Sequence, residues 1–468
     1  MKVKKTSKDM DMLDGSMGDK ILLFALPLAA TGILQQLFNA ADIAVVGRFV
    51  GKNAMAAVGS NSPIIALIIS LFTGISIGAN VVIAKFIGQN RKDGVKRAVH
   101  TALLFAFLSG IVFAVICLLL SRRILSLMSI PENVFDMALL YFRVYIAGMP
   151  VILLYDFASA IFRSRGNTRT PLICLLVSGI INVVLNLFFV IVLKMTVNGV
   201  ALATVIANLI SSALLIWFLS HDDSEVHFSF SSLRIDTYTL KEMIRIGLPA
   251  GVQGMVFALS NILIQSSINK LGEDVMAASS AAFNIEIFAY YIINAFGQAC
   301  TTFVGQNYGA GKPDRCIKAT RISFMLDMVF TLVLSGLILL LGKHLLGIFN
   351  DDPVVIETGI IRLRYILLAE GVNVVIEICS GCMRGYGRSM VPALLCMGGI
   401  CGVRISWVYT AFRMKSTFPV LLTAYPLSWV VTAIALAIAY FWMKNHSMKD
   451  FFSGEKNIVY KGAANDKN

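Results

Sequence analysis

Apolar stretches of about 20 residues recur along the chain, parted by short polar segments rich in Gly, Asn, Lys and Arg. A run of about that length crosses the hydrocarbon core of a bilayer as a helix. Twelve such spans are predicted, beginning near Lys20, Asn53, Val95, Val134, Arg169, Asn198, Lys241, Val275, Asp314, Val354, Ser389 and Thr417. The most extended hydrophilic stretch, His221 to Tyr238, carries Asp222, Asp223, Glu225 and Arg234 and lies near the middle, where it reads as a linker.

The two halves repeat one another. Leu26, Pro27, Gly32 and Asn39 match Leu248, Pro249, Gly254 and Asn261 at an offset of 222. After the first hairpin an offset of 221 pairs Gly88 with Gly309, Asp93 with Asp314, Arg143 with Arg364, Arg163 with Arg384, Gly166 with Gly387 and Pro171 with Pro392. Chance does not hold one register over so many Gly, Pro and Arg. Six spans per repeat is an even number, so both halves enter the membrane from the same side. The expected architecture is an all-α polytopic membrane protein, with twelve transmembrane helices as two parallel-repeat six-helix bundles around a central cavity. The boundaries expected are an N-terminal segment 1–19, a bundle 20–220, a linker 221–240, a second bundle 241–445 and a tail 446–468.

Composition agrees. Hydrophobic residues make up 57% of the 468 residues and charged ones 14%, well below the roughly 25% of soluble proteins. The 40 Lys+Arg against 27 Asp+Glu give +13. These basic residues gather in alternate loops rather than in an aromatic-interleaved tract, which argues against a nucleic-acid partner. By loop assignment 26 lie on one side and 9 on the other, which predicts both termini in the cytoplasm. Six of the eight cysteines fall in apolar runs, and the Cys379/Cys382 pair reads as small packing residues rather than a metal site. The first apolar run is too long for a cleavable leader, contains Pro27 and leads into another span, so the chain is expected to insert by its own helices.

Ionisable groups inside spans are the pointers to function, because a carboxylate in apolar surroundings must be paired or protonated. Asp42 lies in the first span, where Gln35, Asn39 and Asp42 follow at i, i+4 and i+7 as a polar stripe. It serves either to couple a cation to transport or as interhelical glue. Glu286, in the eighth span beside Asn284 and Tyr290, has Ile65 as its repeat mate, which makes shared scaffolding a poorer account of it. A carboxylate among aromatic faces suits contact with an organic cation or a proton, and the alternative is structural glue. Asp156 and Glu377 are repeat mates, each seven residues before an Arg (Arg163, Arg384) that opens a basic turn. They form either gates or packing pairs. Asp327 and Glu370 are weaker candidates. The turns Gly88 to Asp93 and Gly309 to Asp314 lack the order of a phosphate-binding loop, and the five histidines lie near loops or span ends, away from any midplane relay.

With these residues together, the chain resembles the multidrug and toxic compound extrusion (MATE) family of the flippase and exporter superfamily over nearly its whole length. The resemblance rests on Leu13-Asp14-Gly15-Ser16, Ala25-Leu26-Pro27, the Gln35 to Asp42 stripe with Val46-Gly47-Arg48-Phe49-Val50-Gly51, the segment Val304 to Gly311, and Met383 to Gly387. It implies a secondary antiporter that exports organic cations, drugs or toxic compounds in exchange for protons or sodium, with Asp42 as the family's first-helix acid. In the motif Asn182-Val183-Val184-Leu185-Asn186, Asn186 stands where relatives carry Asp, so Asp42 would face an amide in the substrate cavity. Sodium-driven members often carry a helix 7 acid, and Val252 to Asn269 has none. Protons are favoured and sodium stays open. No metal or cofactor is expected, nor an enzyme activity, nor an obligate protein partner. The expectation is a monomer among membrane lipid in a bacterial cell membrane. The alternatives are a lipid-linked saccharide flippase, disfavoured because the midspan charges are mainly acidic, and an intramembrane enzyme, disfavoured because no aspartate-rich metal motif faces the interior.

Overall fold

The computed structural model describes residues 10–128 and 130–452, and those residues contain helices and no strand. Most of the expected tail 446–468 lies outside the described residues. Before the linker come α1 (Gly18–Phe49), α2 (Lys52–Gly88), α3 (Lys92–Ser126), α4 (Glu132–Ala147), α5 (Met149–Ser164), α6 (Arg169–Leu187) and α7 (Val197–Ser220). After it come α8 (Thr237–Asn269), α9 (Glu273–Gly309), α10 (Pro313–Gly347), α11 (Pro353–Leu367), α12 (Glu370–Gly385), α13 (Met390–Cys396), α14 (Val403–Tyr409), α15 (Ala411–Met414), α16 (Phe418–Leu422) and α17 (Ala424–Phe452). Ten stretches are long and apolar enough to cross a membrane unbroken. The pairs α4/α5 and α11/α12 bend by 49° and 41°, and taking each as one crossing gives twelve.

The apolar pattern predicts the fourth and tenth spans as single helices, and both are broken. At the first break Pro150 supplies no backbone donor, and a side chain on Gly148 would run into Val205 of α7. In lipid the backbone must satisfy itself, so such a break persists only inside protein.

The repeat is visible in the backbone. Left-handed φ values occur at Gly51 (119°) and Gly272 (107°), at Gly166 (90°) and Gly387 (80°), and at Asn90 (55°) and Gly311 (71°). Each pair is 221 apart, so the same turns close the same helices in both halves. Asn90 is the one of these six with a side chain, and Asn visits that region more readily than most residues.

The first helix of each bundle is shared between bundles. Ile21, Phe24 and Ala25 of α1 pack into a core with Phe296 and Phe303 of α9, Cys316 of α10 and Val374 of α12, whereas Val46 of α1 packs with α2, α4 and α7. Correspondingly, Met243 and Ile246 of α8 enter the core of the first bundle, and Ile264 and Ile268 return to their own. Pro27 and Pro249 sit within about a turn of these crossovers and remove a backbone hydrogen bond there.

The bundles meet along the halves of their helices nearest the linker. Gly74 and Gly78 of α2 lie against Gly251 and Gly247 of α8 so closely that a Cβ would strike backbone. Thr302 of α9 donates to Asn80 of α2 at 3.0 Å, and Gln306 of α9 donates to the carbonyl of Ser164 at 2.6 Å. The linker is ordered against the first bundle. Arg165 binds Asp222 at 2.5 Å, and the amide of Ser229 donates to His100 Nε2 at 3.1 Å. Asp222 is partly buried, which works against its charge, but the Ser224 hydroxyl and Arg165 outweigh this and hold its carboxyl below the usual range.

Candidate functional site

Three helices of the first bundle meet at Asp42, which is 6% exposed. Asn186 of α6 donates to Asp42 Oδ1 at 2.5 Å, and the Thr204 hydroxyl of α7 donates to Oδ2 at 3.1 Å. Asn182, one turn before Asn186, accepts from it at 3.2 Å and donates to Thr204 Oγ1 at 3.4 Å. Asn186 Oδ1 is buried with no hydrogen-bond partner. A π-helical turn, Phe188–Val192, follows Asn186 at once and widens α6 there, a feature frequent at functional positions. Among the described residues Asp42 has no ion pair. Its carboxyl is thus held by neutral groups alone, and the site offers oxygen from Asp42, Asn182, Asn186 and Thr204, the hard donor type that suits a proton or an alkali cation rather than a soft metal.

Gln35 and Asn39 are exposed and do not join this cluster. The i, i+4, i+7 stripe therefore separates. Its last member turns into the bundle, and the first two face outward from it. The neighbouring Gln36 accepts from Tyr291 of α9 at 3.4 Å, across the bundles.

Glu286 sits in a different environment. Arg362 of α11 grips it through two bonds, Nη2 to Oε1 at 2.5 Å and Nε to Oε2 at 3.2 Å, and reaches Ser279 through Nη1 at 2.7 Å. The Tyr425 ring lies between Arg362, 5.7 Å from its centroid, and Arg404, at 4.2 Å. Arg404 donates to Asn261 Oδ1 at 2.9 Å. Asn284 is half-buried and bonds the Ser280 carbonyl at 3.0 Å, and Tyr290 is exposed beside Tyr291. Asp42 and Glu286 thus belong to separate bundles and to no common cluster.

The repeated acids differ too. Glu377 pairs with Arg384 at 3.7 Å, and Arg384 also donates to Gln253 of α8 at 3.3 Å. Asp156 accepts from Thr73 at 3.4 Å, and no ion pair within 4.0 Å joins it to Arg163 among the described residues.

Sequence reasoning missed Thr204, Arg362 and Arg404 as site members. The partners of Arg362 lie 76 and 83 residues away, so no helical spacing announces them. The repeat offset would have. Ser279, Glu286 and Arg362 replace Val58, Ile65 and Tyr141, which pack together in one apolar core of the first bundle. In the other direction, Asp42, Asn182, Asn186 and Thr204 stand where the second bundle has Ile264, Val403, Trp407 and Tyr425.

The family model described as MatE matches this chain twice, over residues 27–188 and 249–410, once in each half. The chain belongs to the MatE family. It is similar to the probable multidrug resistance protein YoeA of Bacillus subtilis, 29% identical with 82% of this chain and 84% of that protein covered. The probable multidrug resistance protein NorM of Thermotoga maritima is 24% identical, with 85% and 86% covered. A solved structure described as an outward-facing conformation of a multidrug resistance MATE family transporter of the MOP superfamily shares the fold at TM-score 0.86 and 21% identity, over 96% of this chain and all of that one. This MatE protein is accordingly a multi-pass membrane transporter and not an enzyme.

Proposed function

We propose that the protein is an ion-coupled antiporter that exports organic cations, drugs or other toxic compounds by alternating access, with Asp42 as the acid that carries the coupling ion. The observation that carries this reading is a carboxylate 6% exposed, inside a membrane helix, whose hydrogen-bond partners among the described residues are the amide of Asn186 and the hydroxyl of Thr204. An ionised carboxylate so placed calls for a cation or a proton, and neutralising it changes what α1 is bonded to. Since α1 is packed into both bundles, loading at Asp42 bears on how the bundles sit together. Asn182, Asn186 and Thr204 shape the site; Gln35, Asn39, Asn284 and Tyr290 are surfaces for substrate. Glu286 serves through its ion pair with Arg362 rather than as a free coupling acid. Glu377 and Arg384 brace the linker-side end of the second bundle through their ion pair, and Asp156, bonded to Thr73, supports the first bundle. The protein works as a monomer in the cell membrane of a bacterium, with both termini in the cytoplasm.

The test is efflux of a fluorescent organic cation from proteoliposomes, with proton and sodium gradients imposed separately. Export driven by one gradient, and lost in Asp42→Asn protein that reconstitutes normally, is the expected outcome. A membrane potential of 100 mV is worth about 2.3 kcal/mol per charge, ample for a roughly 50-fold substrate ratio. Undiminished export by Asp42→Asn would remove Asp42 from the mechanism, and no export under either gradient would remove antiport of organic cations.

A further inference from the structure

Read against its own repeat, α10 carries a polar file that the antiport reading leaves unused. Ser323, Asp327, Thr331 and Ser335 recur every four residues and line one face of α10 over about 18 Å. Their mates 221 positions earlier, on α3, are Ala102, Ala106, Gly110 and Ala114, all buried in the first bundle. The packing position is the same in both halves, so a bundle of this design holds together with small apolar residues there. The second bundle instead holds three hydroxyls and a carboxyl, each buried.

Asp327 is 0% exposed. Thr331 donates to its Oδ1 at 3.1 Å, while Oδ2 has no hydrogen-bond partner, nor do the hydroxyls of Ser323 and Ser335. No cationic side chain pairs with it among the described residues. The helix α12 packed against α10 carries two further acids, Glu370 and Glu377. Glu370 accepts from Asn373 at 3.0 Å, and Glu377 is engaged by Arg384. On the other sides, Glu286 of α9 is taken by Arg362 of α11, and α1 offers Ile21 and Phe24. An unpaired carboxylate amid like charges in a dry interior neutralises itself by taking a proton.

We propose that Asp327 is a second proton-binding site, in the second bundle and independent of Asp42, with Oδ2 as the atom that takes the proton and the hydroxyls of Ser323, Thr331 and Ser335 as its polar lining. Binding converts the carboxylate and one proton to the acid and requires no other reactant. The site extends the antiport reading by giving the second bundle a titratable centre of its own, and its test needs no transport.

The experiment is infrared difference spectroscopy of the purified full-length protein in lipid, between acidic and alkaline buffer, reading the carbonyl stretch of protonated carboxyls. The parent is expected to show a buried protonated-carboxyl band at neutral pH. That band persists in Asp42→Asn, disappears in Asp327→Asn and moves in Thr331→Val, which withdraws the hydroxyl from Oδ1. A carboxyl band identical in parent and Asp327→Asn overturns the proposal. If Asp327→Asn does not fold, Thr331→Val decides, and an unmoved band overturns it equally. An Asp327 band in a protein that fails the efflux test would leave this site standing and the antiport reading fallen.

Discussion

At the scale of residues, the two halves trade polar groups for apolar ones at matching positions. Where the first bundle packs Val58, Ile65 and Tyr141, the second inserts Ser279, Glu286 and Arg362, with Arg362 3% exposed. Breaking such a buried pair leaves one charge stranded, at a cost of about 3–5 kcal/mol, whereas replacing the whole group with packed apolar residues is often neutral. Arg362→Tyr alone should therefore lower thermal stability sharply, and the triple variant Ser279→Val, Glu286→Ile, Arg362→Tyr should regain most of it. A triple variant no more stable than the single one would show that the two sites are not interchangeable. Asp222 gives a prediction with a definite pH sign. Its carboxyl is held below the usual range when folded, so its contribution is present above the unfolded value, about 3.9, and lost as pH falls through the folded one. Asp222→Asn should remove that acid-dependent loss of linker docking, at a cost near neutral pH of about 1.5–3 kcal/mol. Hydrogen exchange of the linker amides measures both, and an unchanged pH profile would exclude Asp222 as the cause. Asp42 was legible as a buried acid from the sequence because a lone carboxylate in an apolar run is conspicuous. Thr204 and Arg362 were not, because a hydroxyl in a membrane helix is commonplace and the position of an arginine in a span does not say which acid it meets.

At the scale of elements, the seam between bundles is asymmetric. Between α2 and α8 it is built of Gly74, Gly78, Gly247 and Gly251, and the mates of these residues at the α1 and α9 contact are Ala295, Ala299, Ala25 and Ala29, all buried. Glycine lets backbones touch, and in lipid that close packing is a main source of helix association. Gly251→Ala should force α2 and α8 apart and cost about 1–3 kcal/mol through overpacking, while Ala29→Gly should leave the α2 and α8 seam intact. Melting of the two purified variants, with a cysteine crosslink across α2 and α8 as the distance probe, distinguishes them. Crosslinking of Gly251→Ala at the parental rate would refute the steric account. Helix starts followed closely from the apolar pattern, because twenty apolar residues in a bilayer have no alternative to a helix. The breaks at Gly148 and at Leu368 did not. They depend on which neighbour occupies the bend, and that is a tertiary fact.

At the scale of the whole molecule, the duplicated plan was readable because turns that need left-handed backbone constrain residue type strongly, and they recur at 221. The sharing of α1 and α8 between bundles was not readable, since an apolar helix face does not say whose core receives it. The segment just before α1 is held in the same way. Asn307 and Arg315 both bond the carbonyl of Met12, and Lys312 binds Asp14 at 2.9 Å, across sequence separations of 295 to 303 residues. Met12 and Met17 are buried there together with the linker-side end of α1. During synthesis α1 therefore has no native resting place for half its length until α9, α10 and α12 have followed it. The order of translation and the order of assembly diverge, and the newborn N-terminal bundle, complete at Ser220, must hold an unfilled apolar face in the membrane until α12, which ends at Gly385, is made.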